Sequence, residues 1–325
     1  MIYDLLWTGG FDSTFRLCQL AKEEKMVQPY YIMNPQRHST ALEIKAQQNI
    51  LDFLNQKGLG NTILPVQYVE LNSIPFNIEI SNSFETIQKK FFMLPQFRWL
   101  SAFSKMHKGI ELCNEKPPRS VSAIHNIFYW KATLKNDEFG RTVLDKEKSD
   151  ATIFFFFGDF SYPILDKTEI EMFSLLKEWG LADVIDLIRF CDMEQEEPCG
   201  ICPCCVGKWD VGIFSFPKEA KRRYFIYESL GKIDCENVFP FYLNRNMLGK
   251  CYSAYVRYGV NKLSYAFPNN PMLLKECCKL FSYLDSLSIK SAKHYFSKIK
   301  KINDIFDEKY LVRNQGELPI KLIKN

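Results

Sequence analysis

Two clusters of residues in this sequence have types and spacings that can do chemistry. The first is Thr8-Gly9-Gly10-Phe11-Asp12-Ser13-Thr14, between an apolar run and a stretch of helical length. At a strand-to-helix turn, backbone N–H groups and the helix dipole attract a phosphate. Two glycines let the backbone approach an anion without Cβ interference, and the Thr8, Ser13 and Thr14 hydroxyls can add hydrogen bonds. The geometry suits a pyrophosphate, and no lysine follows at the spacing of a Walker A loop. The plainer alternative is a tight turn in which Asp12 or Ser13 caps the helix. The second cluster is Cys191-x7-Cys199-x2-Cys202-x2-Cys205. Its two short spacings are those of a tetrahedral Zn²⁺ knuckle, with an Fe–S cluster, a redox pair and simple packing as alternatives. Cys204 is the spare thiol, since a neighbour of Cys205 points elsewhere. Four protein ligands leave no open position, so a zinc here is structural.

The elements that must position these residues alternate. Residues 2–7 read as a short buried strand, residues 12–25 as a helix and residues 29–33 as a second strand. Thr40-x-x-Glu43 reads as a capping box for a helix ending near Gly58, and residues 62–71 supply a third strand. Residues 95–107 read as a helix closed by Gly109, with a strand at 110–113. Pro117-Pro118, the aromatic stretch at 128–130 and the turn signal Asn136-Asp137-Glu138 break the rhythm, so residues 114–150 are expected to be an inserted hairpin or flap. The run Ile153-Phe154-Phe155-Phe156-Phe157 is expected to be a fully buried strand. Asp166-x-x-Glu169 reads as a second capping box, opening a helix that Gly180 closes. Beyond Cys205 the strand signals fade, and residues 218–230, 272–287 and 291–306 read as helices. Alternating strands and helices imply an α/β fold with a parallel sheet covered on both faces.

Composition sets the class. A chain of 325 residues, 46% hydrophobic and 25% charged, without a low-complexity tract, is a folded globular protein rather than a disordered or fibrous one. No apolar run approaches the ~20 residues of a membrane span, and Asp4 and Asp12 interrupt the start where a signal peptide is apolar, so the cytoplasm is the expected compartment. Eleven cysteines in a reducing compartment favour metal binding over disulfides. The net charge of +4 divides unevenly: residues 206–325 hold 21 Lys+Arg against 11 Asp+Glu, leaving 21 against 27 for residues 1–205. A solvated lysine-rich helical surface accounts for such a balance, and so does an acidic partner, nucleic acid among the candidates.

The string at residues 8–14 resembles the S-G-G-x-D-S-[ST] loop of the PP-loop ATP pyrophosphatases, with Thr8 in place of the first serine. Together with Cys-x7-Cys-Gly-x-Cys-Pro-x-Cys near residue 200, it resembles 7-cyano-7-deazaguanine synthase. Gln36-Arg37-His38 after the second strand, Glu43 in the next helix, and Pro163 through Leu165-Asp166-Lys167-Thr168-Glu169 agree with that family. The resemblance covers residues 1 to about 210 and implies a HUP-type, Rossmann-like PP-loop domain over 1–210, carrying the insertion at 114–150 and the zinc motif at 191–205. Residues 211–325 then form a mostly helical, basic C-terminal extension.

The resemblance implies an ATP-dependent ligase that adenylates a carboxylate, adds ammonia to give an amide, and dehydrates it to a nitrile after a second activation. Thr8, Gly9, Gly10, Ser13 and Thr14 would bind the phosphates of ATP, with Asp12 positioning Mg²⁺ or the loop. Arg37 and His38 would lie beside the ATP or the carboxylate, and Lys167 would reach a phosphate. Arg98 is a weaker candidate for the same work, while Asp166 and Glu169 read as caps. The family's Tyr-Pro-Asp-Cys-Arg segment for deazaguanine recognition has no counterpart here. Queuosine-type deazaguanine metabolism and antiphage defence, where diverged relatives modify a partner protein, both remain within the resemblance, and a homodimer is compatible with it. Two other readings stand beside it. One is a tRNA-modifying PP-loop enzyme, suggested by the basic C-terminal part; the other is a non-catalytic nucleotide-binding interaction module.

Overall fold

A computed structural model describes residues 1–35, 37, 39–91, 93–116, 123–193, 196–200, 202–221 and 224. The chain divides into two units, Met1–Arg189 and Phe190–Asn325.

The first unit is built on β1 (Ile2–Leu6), α1 (Phe11–Lys22), β2 (Met26–Met33), α2 (Thr40–Gln56), β3 (Gln67–Glu70), α3 (Ile78–Gln88), α4 (Gln96–Met106) and β4 (Ile110–Glu111). It continues through α5 (Ala123–Lys131), β5 (Leu134–Asn136), β6 (Thr142–Leu144), α6 (Ala151–Phe157), β7 (Phe160–Ser161) and α7 (Glu169–Glu178). Five strands form one parallel sheet in the order β3-β2-β1-β4-β7, flanked by helices. The fold is therefore α/β with a parallel sheet, as the alternating pattern implies. β1 is the central strand: Ile2 to Leu6 pair with Met26 to Tyr30 on one side, and Leu5 pairs with Glu111 on the other. Leu5, Phe15, Leu17, Leu20, Val27 and Ile50 are fully buried around it, and a second set including Phe84, Phe103, Ile110, Phe156, Phe157 and Phe160 fills the space about β4 and β7. Sequential strands run outward from β1 first one way and then the other, which creates a topological switch point between β1 and β4. In open parallel sheets, ligands bind outside the carboxyl ends of the strands at such a point.

Several expected elements change. Residues 153–157 are not a strand but the body of α6. Asp150 caps it, accepting from the Thr152 and Ile153 N–H groups, and burial falls on Ile153, Phe156 and Phe157, which is helical spacing. A short apolar run cannot be told from a buried strand by periodicity alone. The strand in that region is β7, two residues long, after the turn at Gly158. Neither expected capping box forms where it was read. The second is displaced by two residues: Thr168 accepts from the Glu171 N–H and Glu171 reaches back to Thr168. The first is absent; Ser39 precedes α2 without a side-chain cap, and the Glu43 carboxylate turns inward instead. Helix α3 was not expected, although Asn77 caps it and Ile80, Phe84 and Ile87 mark its buried side. The insertion does hold a hairpin, β5 antiparallel to β6, together with α5.

The second unit is described to Tyr224 and contains α8 (Pro203–Val211). The helices expected at 272–287 and 291–306, and most of the one at 218–230, lie outside the described residues. No helix among the described residues is long and apolar enough to cross a membrane.

Candidate functional site

The glycine turn leaves the carboxyl end of β1 and opens α1. Gly9 has φ +77, a left-handed conformation that a side chain strains. A Cβ there would also sit 3.3 Å from the Glu43 carbonyl oxygen and 3.3 Å from Gln47 Cγ. The Gln47 Nε2 donates 2.8 Å to the Trp7 carbonyl, so α2 buttresses the turn from below. On the other side, the Arg189 N–H donates 2.8 Å to the Gly9 carbonyl. Gly10 is the residue before the helix, extended at φ −79 and ψ 173, with no side-chain cap. The first bond of α1 runs from the Thr14 N–H to the Gly10 carbonyl, and the N–H groups of a helix's first turn have no acceptor within the helix. That end of α1 can therefore serve an anion.

The side chains of the turn differ in placement. Thr8 is exposed, Asp12 half-buried and Ser13 buried. Thr14 is fully buried, and its hydroxyl accepts 3.0 Å from the Trp7 indole, so this oxygen braces the turn internally.

Other loops at the carboxyl ends of the strands bring further groups to the same edge of the sheet. After β2 comes Arg37, whose Nε donates 2.7 Å to Glu43 Oε1. Ser39 Oγ donates 2.6 Å to that oxygen and the Tyr31 hydroxyl donates 2.8 Å to Oε2. Glu43 is 2% exposed, and burial followed by its charge pushes the Tyr31 phenol up. Gln36 and His38 lie outside the described residues. After β7 comes Lys167, with Nζ 3.2 Å from Asp166 Oδ1; its carbonyl accepts from the Lys116 N–H, which ties this segment to the loop after β4. Arg98 is placed differently: its guanidinium stands 4.6 Å over the Phe84 ring, a packing role on α4.

The loop after β4 adds two residues that sequence reasoning missed. Burial, then the carboxylates of Glu111 and Asp12, pushes the Cys113 thiol well up. The neighbouring Asn114 has a buried carboxamide oxygen without a hydrogen-bond partner. Neither belongs to a recognisable motif, and the pairing of β1 with β4 is what brings Cys113 within the influence of Asp12. Glu111 itself, 2% exposed, is held by Arg16 of α1 through two bonds of 2.8 and 2.7 Å.

In the second unit, Cys191, Cys199, Cys202 and Cys205 are all buried, and their sulfurs lie within 4.8 Å of one another. A tetrahedron of sulfurs about 2.3 Å from a zinc ion has edges of about 3.8 Å; Cys199 and Cys205 stand 3.8 Å apart. Three backbone donors support the sulfurs: the Cys199 N–H points at Cys191 Sγ, the Cys202 N–H at Cys199 Sγ and the Cys205 N–H at Cys202 Sγ, at 3.2 to 3.4 Å. Hydrogen bonds from Cys191 and Cys199 draw the Cys202 thiol well below its ordinary range, while the side-chain hydrogen bond with Cys191 pushes Cys199 and Cys205 up. Four crowded thiols cannot all ionise alone, and a divalent cation removes that conflict. The donor set thus fits a metal such as zinc. Gly200 has φ +84 and a Cβ there would collide with the Ala220 carbonyl oxygen, so this bend requires glycine. Cys202 also starts α8, with Pro203 at its first turn. Cys204 is not one of the four; its Sγ donates to Asp192 Oδ2 at 3.2 Å, and it also hydrogen-bonds Cys202.

No family model matches the chain, and no curated protein matches it.

Proposed function

We propose that the chain is an ATP-dependent adenylating ligase, similar in chemistry to 7-cyano-7-deazaguanine synthase, with a structural zinc in its second unit. The observation that carries this reading is the position of the glycine turn: at the amino end of a twelve-residue helix, at the carboxyl end of the central strand, beside the switch point of a parallel sheet. Arg37, in the loop after β2, and Lys167, in the loop after β7, add positive charge at the carboxyl edge of the sheet, as an enzyme that handles a triphosphate requires.

In the proposed reaction a carboxylate oxygen of the substrate attacks the α-phosphate of ATP. The bond to the bridging oxygen breaks, pyrophosphate leaves, and the acid becomes an acyl adenylate. Ammonia then attacks the acyl carbon, AMP departs, and a proton is released with the amide; a second activation dehydrates the amide to the nitrile. The protein's contribution is positioning and charge stabilisation, with no protein nucleophile. Gly9, Gly10 and the first turn of α1 hold the departing pyrophosphate. Asp12 would hold the Mg²⁺ that accompanies ATP, and Arg37 would face the anion. The substrate is a carboxylate, small or carried by a partner macromolecule. A thiolating enzyme acting on RNA needs a reactive thiol near the nucleotide. Cys113 stands in that region, but its surroundings, burial first and then the carboxylates of Glu111 and Asp12, push its thiol up rather than activate it, which disfavours this alternative.

The test is product analysis. Incubation with Mg-ATP, ammonia and 7-carboxy-7-deazaguanine, or with a co-expressed partner protein, is expected to release AMP and pyrophosphate and to change the mass of the acid. Asp12→Ala is expected to remove turnover while keeping the zinc. Release of ADP and phosphate in place of AMP would reject adenylation.

A further inference from the structure

The Arg37–Glu43 pair stands apart from an ordinary surface ion pair. Its acidic partner is 2% exposed and accepts three hydrogen bonds, from Arg37 Nε, Ser39 Oγ and the Tyr31 hydroxyl, at 2.6 to 2.8 Å. Burying a carboxylate this deeply is costly unless it is fully satisfied, and such a network, once satisfied, fixes its members rigidly. The member it fixes at the surface is Arg37, whose side chain is 31% exposed. Its Nε–H is shared between Glu43 Oε1 at 2.7 Å and Ser39 Oγ at 3.2 Å, which fixes the plane of the guanidinium. Glu43 also lies directly against the phosphate candidate: its main-chain oxygen is 3.3 Å from where a Cβ on Gly9 would stand. One turn further along α2, Gln47 holds the Trp7 carbonyl at the entrance to the same turn. A single helical turn of α2 therefore sets the height of the glycine turn through Gln47 and the orientation of Arg37 through Glu43.

We infer that Glu43, with Tyr31 and Ser39, is a positioning residue that locks Arg37 beside the glycine turn, so that the guanidinium and the first turn of α1 grip one polyphosphate. Glu43 touches no ligand itself; it acts through Arg37. This assignment deepens the proposed function and rests on its nucleotide site. A floppy arginine would lose rotamer freedom on binding, whereas one held at Nε has already lost it, and the affinity gained is the signature of the lock.

The experiment is a double-mutant cycle on Mg-ATP affinity by calorimetry, with inorganic pyrophosphate as a second probe and thermal unfolding as the control for folding. Arg37→Ala is expected to weaken ATP binding roughly tenfold or more, the loss of one charge-assisted contact. Glu43→Ala should weaken it to a similar degree, and the double variant should be no weaker than the worse single one, because the two residues act as one unit. Tyr31→Phe, which removes one hydrogen bond and keeps the ring, should cost a few-fold and serves if Glu43→Ala does not fold. Additive losses from Arg37→Ala and Glu43→Ala, or unchanged ATP affinity in both Glu43→Gln and Tyr31→Phe beside a weakened Arg37→Ala, would overturn the positioning role while leaving the nucleotide site standing. Absence of ATP binding in the wild-type chain would remove the nucleotide site and this assignment together.

Discussion

Arg16 and Glu111 are the clearest case of one contact deciding where a site is built. The guanidinium is 11% exposed and the carboxylate 2%, and both of its nitrogens that face Glu111 are engaged. Replacing such a pair with apolar groups is often harmless, but removing one member strands a buried charge. Glu111→Ala is therefore expected to lower stability by about 3–5 kcal/mol, read from urea unfolding, with Glu111→Gln losing less. Because Cys113 and Asn114 follow Glu111 within three residues, the same variant should also disturb the loop that faces Asp12. At this scale the sequence was informative for residues in motifs and silent for the others. The glycines and the four cysteines carry their chemistry in their spacing. Glu43 was read as a cap because a threonine stands three residues before it, and nothing local to residues 40–43 shows that Tyr31, twelve positions earlier, donates to its carboxylate.

Helices and strands were legible where their period was long and opaque where they were short. α1 and α2 each span three turns or more, and both were expected within a few residues of where they lie. β4 and β7 have two residues each, too few for any period, and the all-apolar stretch before β7 carries as much helix as strand character until Asp150 is seen to accept from two of its N–H groups. Asp150→Ala and Asp150→Asn should separate under thermal unfolding, since only asparagine keeps an acceptor at the cap; the alanine variant should lose about 1 kcal/mol. The α7 capping box offers a pH test. The Thr168 N–H, followed by its hydroxyl, holds the Glu171 carboxyl below its ordinary range. A lowered pKa in the folded state means the stabilisation is present above the ordinary glutamate value of about 4.3 and fades as the pH falls through the folded value. The hydrogen-exchange protection factors at the start of α7, taken relative to the intrinsic rate at each pH, should therefore fall on acidification below about pH 4, an effect that Glu171→Gln should blunt.

At the scale of the chain, each unit has its own source of stability. The first has a sheet and an aromatic-rich core; the described part of the second is organised around four sulfurs and a stack in which Trp209 lies 3.9 Å from Phe216 and 4.6 Å from Tyr224. The purified protein is expected to carry about one zinc per chain, measured by metal analysis. Cys202→Ala should abolish the load, and Cys204→Ser should keep it because that thiol points to Asp192. Chelation should unfold the second unit. Trp209 reports this, since its indole donates 3.1 Å to the Gly200 carbonyl inside the cysteine loop. A shift in tryptophan emission that disappears in Trp209→Phe is the expected signal, and a full zinc load in Cys202→Ala would refute the ligand set.

The place of β1 in the sheet has a consequence for how the chain comes off the ribosome. β1 is synthesised before its neighbours and ends as the middle strand, paired to β2 almost at once but to β4 only through Leu5 and Glu111, 106 positions apart. At ~5–20 residues per second, translation takes about 5–20 s to span that interval. During it, a strand whose Leu5 is destined for complete burial offers a bare edge to any passing chain. Nascent chains stalled before residue 110 should accordingly depend on chaperones and associate with one another, while those stalled far enough past residue 161 for β7 to clear the exit tunnel should not. The two residues of β4 are thus the latch of co-translational folding, and slower codons upstream of them would prolong the exposure.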